Sequence, residues 1–369
     1  MEKMTKKKVC FLIPSTKAGG IETYLLRFLS FLEGNLEVTI VVRSSTPGEL
    51  HSDYLTTRAK LIYKPLGYFS FKNMYSYFQF FKSNKFDTIC DFNANFAGIP
   101  MLLAKLARTK NRIAFYRQGS HHFALSWFRL AYTNFLNFLV RNFSTAIFAN
   151  SKAALDFFFS NYYETDKRFK VIRNGINLDD YRSISLEEKK LLRAKLGLPT
   201  DGILVGHTGR VAPAKNHSFL LQVAAKIIAE NSNVFFVLIG NETDKLLPEI
   251  ANLGIAKNII LFGYRSDVPD FLKSFDIFFF PSVTEGQPNS LIEAMAAGLP
   301  IAASNIPPIK ECLPEDTTSC LFDPYNPDEA VNVIQGIFDK KINSKFAAFA
   351  KQSFDAQIQF KEFKETLEI

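Results

Sequence analysis

Two carboxylates, Glu285 and Glu293, stand with seven residues between them in "EGQPNSLIEAMAAGLP", directly after the apolar run "FDIFFFPS". Pro288 suits the first position of a helix, and Gly298 with Pro300 would end it. The spacing therefore predicts one acid in front of a helix mouth and the other about a turn and a half inside. A carboxylate accepts from two neighbouring hydroxyls at once, so the two acids suit two different diols, one on a hexose and one on a ribose. The first N–H groups of a helix lack partners within it, and those around Gly286, Gln287, Asn289 and Ser290 would be open to a ligand. A plainer reading has Glu285 complement the helix dipole and leaves Glu293 solvated.

A second group follows "ILVGHTG". In "RVAPAKNHSFLL", Arg210 and Lys215 lie five residues apart on a loop leading into a helix. Two cations beside a helix N-terminus add to its positive end and attract a doubly charged anion such as a diphosphate. They could also replace a metal ion in neutralising a phosphate leaving group. The sequence has no HExxH, no DxD and no Cys/His cluster, so neither a metal nor a bound cofactor is expected. Standing alone, the loop reads as two surface cations. Gly19 and Gly20 in "STKAGGIETYLL" would let a phosphate approach the backbone at a helix start, or form an ordinary tight turn. The GxGxxG fingerprint of dinucleotide binding is absent.

Positioning these residues requires strands that deliver loops to one edge. "KVCFLIP", "LEVTIVVR", "KLIYK", "DTICD", "RIAFY", "TAIFAN" and "FKVI" read as buried strands of a parallel sheet, with helical patterns between them. After "RNGINLDDY" and a charged helix the alternation restarts with "ILVGHTG", "NVFFVLIG", "NIILFG", "DIFFFPS" and "PIAAS". The expectation is an α/β protein of two Rossmann-like, doubly wound domains, residues 1–178 and 179–345. A C-terminal helical stretch, 346–369, has no strand partner and could pack back on the first domain. In such sheets ligands lie beyond the carboxyl ends of strands. Two sheets facing across a cleft would bring those ends to one site.

Bulk properties agree with a soluble chain. The 369 residues suit two α/β domains, and 47% hydrophobic with 22% charged residues is ordinary for a globular protein. The four cysteines show no CxxC pairing, which fits reduced thiols in the cytoplasm. The opening resembles a signal peptide only at its basic start, and no window reaches the length of a membrane span. The net charge of +8 is uneven: residues 1–180 hold 25 Lys/Arg against 13 Asp/Glu. Between Asp91 and Asp156 there are eight basic residues and no acid, which marks either an anionic partner surface or a solvated face. Within that stretch "FALSWFRLAYTNFLNFLVRNF" carries Ser126, Arg129, Thr133, Asn137 and Arg141 as a narrow polar stripe on a helix with a wide apolar face. Residues 123–143 are thus either a buried helix or one lying in a membrane interface.

The chain resembles the retaining glycosyltransferases of family four, which have the GT-B fold. "GGIETYLL" resembles that family's first glycine loop, "VIRNGINLDDY" its interdomain signature and "GRVAPAKNH" its phosphate-contacting element. "LFGYRSDVPDFLKSFDIFFFPSVTEGQPNSLIEAMAAGLPIAAS" resembles its most diagnostic block, E-x7-E included. The resemblance implies that Gly209, Arg210 and Lys215 hold a donor diphosphate, that Glu293 holds the nucleotide ribose, and that Glu285 with the amides after it holds the transferred sugar. Tyr264 and Arg265 would lie beside the nucleobase, with Gly19 and Gly20 also on the donor. It further implies transfer with retention, in which the departing phosphate takes the acceptor's proton. Many members carry a His-containing motif where this chain has "YRQGSHHF", so Arg117, His121 and His122 are acceptor-side candidates without fixed roles. Asp91, Asn93 and Asn95 in "DFNAN" are candidates for the acceptor wall.

The function expected is transfer of a sugar from a nucleotide-sugar to a glycan or lipid-linked saccharide, in surface polysaccharide or glycolipid synthesis. The expected location is cytoplasmic, peripheral on the inner membrane face if residues 123–143 meet lipid, with no nucleic-acid partner. Two alternatives stand beside it: a nucleotide-sugar epimerase of the same fold, and a non-catalytic carbohydrate-binding relative.

Overall fold

Runs that stay apolar without alternation should become strands covered on both faces, and they do. The structure, a computed structural model, describes residues 6–32, 34, 36–67, 70–119, 126–160, 162–182, 184–339 and 346–368. His121 and His122 lie outside them. The chain divides into unit 1, Met1–Gly175 with Ala356–Ile369, and unit 2, Ile176–Asp355.

Unit 1 contains strands β1 (Lys7–Ile13), β2 (Leu36–Val42), β3 (Lys60–Tyr63), β4 (Thr88–Asp91), β5 (Asn111–Tyr116), β6 (Ala146–Ala149) and β7 (Phe169–Val171). They pair in parallel in the order β3-β2-β1-β4-β5-β6-β7. The order reverses between β1 and β4, the position in a doubly wound sheet where loops part and leave room for ligands. Helices α1 (Gly20–Phe31) and α2 (His51–Thr56) cover one face. On the other lie α3 (Phe71–Asn84), α4 (Gly98–Leu106), α5 (Trp127–Phe143) and α6 (Lys152–Phe159).

Unit 2 opens with α7 (Leu186–Leu196) and continues with β8 (Ile203–Thr208), α8 (His217–Glu230), β9 (Val234–Ile239), α9 (Leu247–Asn252) and β10 (Ile259–Phe262). It goes on through α10 (Val268–Ser274), β11 (Ile277–Phe280), α11 (Asn289–Ala296), β12 (Ile301–Ser304), α12 (Pro307–Cys312), β13 (Leu321–Phe322), α13 (Pro327–Phe338) and α14 (Phe346–Phe354). Its parallel order is β10-β9-β8-β11-β12-β13. Helix α7 is written clearly in the sequence: Ser185 and Glu188 form a reciprocal capping box, and Gly197 closes the helix at φ +70°. Arg193 and Lys189 of this helix reach Asp276 at 2.6 and 2.7 Å, while Leu204 N donates to the same carboxylate at 2.8 Å. That cluster ties α7 to the starts of β8 and β11.

The final helical stretch is two helices with different destinations. Helix α14 packs into unit 2, where Phe346, Ala350 and Phe354 join its core. Helix α15 (Ala356–Leu367) belongs to unit 1, where Phe360, Phe363 and Leu367 complete the α1 face of the core. Phe363 lies 4.7 Å from Phe28 and Phe360 lies 5.4 Å from Tyr24, ring centre to ring centre. Thr88 Oγ1 and Asn111 Nδ2 donate to the last turn of α15, at Leu367 O (2.9 Å) and Thr366 O (2.8 Å).

Candidate functional site

In unit 2 the two motifs come together at the carboxyl ends of β8 and β11. These strands pair only through Ile277–Val205 and Phe278–Gly206, so beyond Gly206 they separate. The loop after β8 makes a 3₁₀ turn, Pro213–Lys215, then passes through Asn216 in the left-handed conformation (φ +55°) before α8 begins. Asparagine tolerates that conformation, and Asn216 Nδ2 donates to Pro324 O at 2.9 Å. Val283 N, after β11, donates to Ala214 O at 2.9 Å, which joins the two loops. Across this junction Lys215 Nζ lies 2.6 Å from Glu285 Oε1 and 4.8 Å from the centre of the Phe280 ring. Arg210 is exposed.

A third loop supports the first two. Gly240 has φ +155°, and a Cβ there would fall 2.2 Å from Gly209 O. Only glycine lets the two loops approach so closely. Gly209 N donates to Ile239 O (2.8 Å) and Val211 N to Asn241 O (3.0 Å), so the Arg210 segment is held to the end of β9 by its backbone.

Helix α11 begins at Asn289, with Pro288 as the extended residue just before it, one position later than the sequence predicts. Proline lacks an N–H, so the step costs no hydrogen bond. Gly286 and Gln287 are buried, while Asn289 and Ser290 are partly exposed at the helix start. Glu293, fifth in α11, is only 8% exposed, so it is not the solvated acid of the plainer reading. Gly298 ends the helix at φ +74°.

Tyr264 is 45% exposed on the loop after β10. Its neighbour Arg265 is held by Asp267 in a two-pronged contact, Nε to Oδ1 at 2.8 Å and Nη2 to Oδ2 at 2.5 Å. The arginine's hydrogen bonds hold the Asp267 carboxyl below its usual range. Arg265 also lies over the Phe271 ring, 5.3 Å from its centre.

The remaining candidates are in unit 1. Gly19 precedes α1 in extended backbone, and a Cβ there would come within 2.7 Å of Glu22 Oε2. Glu22 is buried in the first turn of α1 and accepts from Ser15 Oγ at 2.9 Å, so the mouth of this helix already holds a carboxylate. Asp91 is fully buried at the end of β4. Its Oδ2 lies 2.5 Å from Arg43 Nη2, and its Oδ1 accepts from Asn93 N and Nδ2 at 2.9 and 2.7 Å. Asp91 and Asn93 thus serve an internal cluster, with Asn95 buried next in sequence. Arg117, just after β5, donates to Asn174 Oδ1 and stacks on the Tyr24 ring at 3.7 Å. Burial lowers its pKa to about 10, the nearby Tyr24 acting in the opposite direction.

Sequence reading missed Arg43, Glu22, Asn174 and two buried histidines, His207 and His217. Arg43 had a usable signal: a charge immediately beyond the apolar run of β2.

Comparison with known proteins adds the chemistry's context. Residues 188–353 match the family model described as glycosyl transferases group 1, and residues 18–180 match glycosyltransferase family 4. The chain is 28% identical over 188 residues to the UDP-Gal:alpha-D-GlcNAc-diphosphoundecaprenol alpha-1,3-galactosyltransferase of Escherichia coli, a match covering 49% of this chain and 48% of that enzyme. It therefore spans about half the length of that relative. It is 27% identical over 306 residues to the capsular polysaccharide biosynthesis glycosyltransferase CapH of Staphylococcus aureus, covering 81% of each. Among solved structures, Anabaena HepE in complex with UDP-glucose superposes with a TM-score of 0.82 at 22% identity, over 98% of this chain and 99% of that one. WaaG, a glycosyltransferase involved in lipopolysaccharide biosynthesis, superposes with a TM-score of 0.73 at 17% identity, over 97% and 99%. With the two family models matched in succession over most of its length, this chain has the GT-B fold and belongs to glycosyltransferase family four.

Proposed function

We propose that the chain transfers a sugar, with retention, from a UDP-sugar to a glycan or lipid-linked saccharide in surface polysaccharide synthesis. The observation that carries this reading is the Lys215–Glu285 pair, which two loops from adjacent strands bring to 2.6 Å. A cation already held by a carboxylate can change partners when a ligand brings both phosphate and hydroxyls: Lys215 turns to the diphosphate and Glu285 to the sugar. Arg210 adds a second charge to the departing phosphate, and Glu293 takes the ribose hydroxyls. Tyr264 and Arg265 flank the base. In this scheme the protein orients the reactants and stabilises charge, while the leaving phosphate accepts the acceptor's proton. Incubation with a panel of nucleotide-sugars, with and without saccharide acceptors, tests it by nucleotide release. Epimerisation without release would support an isomerase, and no turnover of any donor a binding protein.

We further propose that Arg210 and Lys215 take the part a divalent cation plays in other transferases. Turnover is then expected to be unchanged by EDTA; a loss restored by Mg²⁺ or Mn²⁺ would refute the assignment.

The acceptor reading gains from α5. Thr133 is buried and Asn137 accepts from Tyr116 at 2.7 Å, so the middle of the polar stripe faces inward, while Ser126 and Arg129 are exposed. Trp127, Phe128, Phe135 and Phe138 are each more than half exposed, and Phe71 and Tyr75 of α3 are exposed as well. No helix among the described residues is long and apolar enough to cross a membrane. Exposed aromatics on an acid-free, basic stretch suit peripheral contact with anionic lipid, where a lipid-linked acceptor would be found. Trp127 is the chain's one tryptophan. Its emission should shift to the blue on vesicles containing anionic lipid, with weaker binding in Phe135→Asp. Unchanged emission at saturating lipid would remove the membrane from the proposal.

A further inference from the structure

His207 and His217 lie beneath the loop that carries Arg210 and Lys215, and nothing in the transfer just described uses them. His207, near the end of β8, is 1% exposed, and His217, the first residue of α8, is 4% exposed. The rings meet edge to face, 5.1 Å between centres. His207 Nδ1 is 3.0 Å from Phe279 O, so that nitrogen carries the hydrogen and Nε2 keeps a lone pair. This Nε2 is buried without a hydrogen-bond partner, and His217 meets the backbone carbonyl of Gly209 without making a hydrogen bond of good geometry. Buried polar atoms are nearly always paired. An unpartnered Nε2 beside a second buried ring that only loosely meets a carbonyl marks a place with room for one more proton. The loop is very close: a Cβ on Gly209 would fall 3.3 Å from His207 Nε2 and 3.3 Å from Lys215 Cε.

Charge says what that state is. Arg210 and Lys215 supply two positive charges, whereas a nucleotide diphosphate brings two negative ones and Glu285 and Glu293 two more. The filled site is therefore short of positive charge, whichever way Glu285 turns. The empty site discourages a proton on the pair: burial, then the Lys215 charge, hold His217 down to about 4, and burial holds His207 well below the usual imidazole value. The positive start of α8 acts in the same sense. The titratable groups facing the pair are Lys215 and the histidines themselves, since β11 presents Phe278, Phe279 and Phe280.

We propose that the His207–His217 pair is a second tier of the diphosphate cradle, neutral when the site is empty and taking one proton from solvent when a nucleotide diphosphate seats on the loop. His217 receives the proton, with the Gly209 backbone carbonyl as its nearby acceptor. The inference rests on Arg210 and Lys215 holding the diphosphate. Because the protonated form binds the donor better, affinity rises as pH falls through the range where the occupied pair titrates.

The chain has five histidines, so protein labelled at histidine ¹³Cε1 can be assigned by His207→Gln and His217→Gln. The titration is followed with and without saturating UDP-glucose, whose diphosphate diester has no proton titrating near neutrality. The His217 midpoint should rise by about 2 pH units in the complex. The dissociation constant should fall roughly twofold from pH 8 to pH 6 and about tenfold from pH 8 to pH 5, and lose that dependence in His217→Gln. A saturated complex in which both rings stay neutral at pH 6 would overturn the inference and leave the donor site intact. Failure of the wild-type protein to bind either UDP-glucose or UDP would overturn the donor site and the inference with it. Should the glutamine variants not fold, the wild-type titration decides alone.

Discussion

Lys215→Ala lowers kcat by about 10²- to 10³-fold, the scale on which a pre-placed electrostatic stabiliser acts on charge that develops at the transition state. Lys215 is placed before bond cleavage: the 3₁₀ turn and Asn216 set its backbone, Phe280 lies under its ammonium, and its exchange of Glu285 for the diphosphate is made on binding. Little reorganisation is left for the moment of bond cleavage, so its loss falls on kcat more than on KM. Arg210→Ala should reduce kcat/KM by about 10²-fold with a larger share in KM, since an exposed side chain has more freedom to lose on binding. Glu293→Ala should mainly raise the donor KM, because ribose contacts are equal in ground and transition states. Steady-state rates with the donor found by the panel decide these points. Near-normal kcat in Lys215→Ala would remove the residue from the mechanism.

The second large effect concerns folding. Arg43→Ala should destabilise unit 1 by about 3–5 kcal/mol, the usual result of removing one partner of a buried ion pair. Asp91 is fully buried, and Arg43 is its only charged partner among the described residues. The pair reaches past the end of β1, since Asp91 closes β4 and Arg43 follows β2 on the other side. Arg43 Nη1 and Nη2 also donate to Phe96 O, both at 3.3 Å. Burial raises the Asp91 carboxyl above its usual value, with Arg43 and then Asn93 opposing. Without the arginine the rise is larger, and an acid whose folded pKa is raised favours the folded state below that pKa and loses the advantage as pH climbs through it. Urea unfolding should therefore show a smaller Arg43→Ala penalty at pH 4 than at pH 7, and Arg43→Ala/Asp91→Asn should recover part of it. A penalty under about 0.5 kcal/mol at pH 7 would mean that solvent reaches the carboxylate.

Much of the architecture is legible in the residues. Parallel strands covered on both faces read as unbroken apolar runs, and each of the twelve runs singled out is a strand. The strand that escaped notice, β13, has only two residues and carries no pattern. The junction of the Arg210 and Glu285 loops was legible too, because charges immediately after apolar strands must lie at the sheet's carboxyl edge. What the sequence hid depends on neighbours distant along the chain. Nothing near "DFNAN" announces that Asp91 is matched by an arginine 48 positions earlier. The sequence of α5 left open whether it is buried or surface-lying; Tyr116, distant along the chain, holds Asn137 inward while Trp127, Phe128, Phe135 and Phe138 stay exposed. The break between α14 and α15 was hidden because both stretches read as helix and no proline or glycine separates them.

That break has a consequence for synthesis. Unit 1 is interrupted by unit 2, so the 180 residues Ile176–Asp355 are made between most of its core and α15. Until α15 emerges, the groove awaiting Phe360, Phe363 and Leu367 is open and greasy. A nascent chain of this kind is a natural client for a holding chaperone, and deleting α15 would harm the half encoded first.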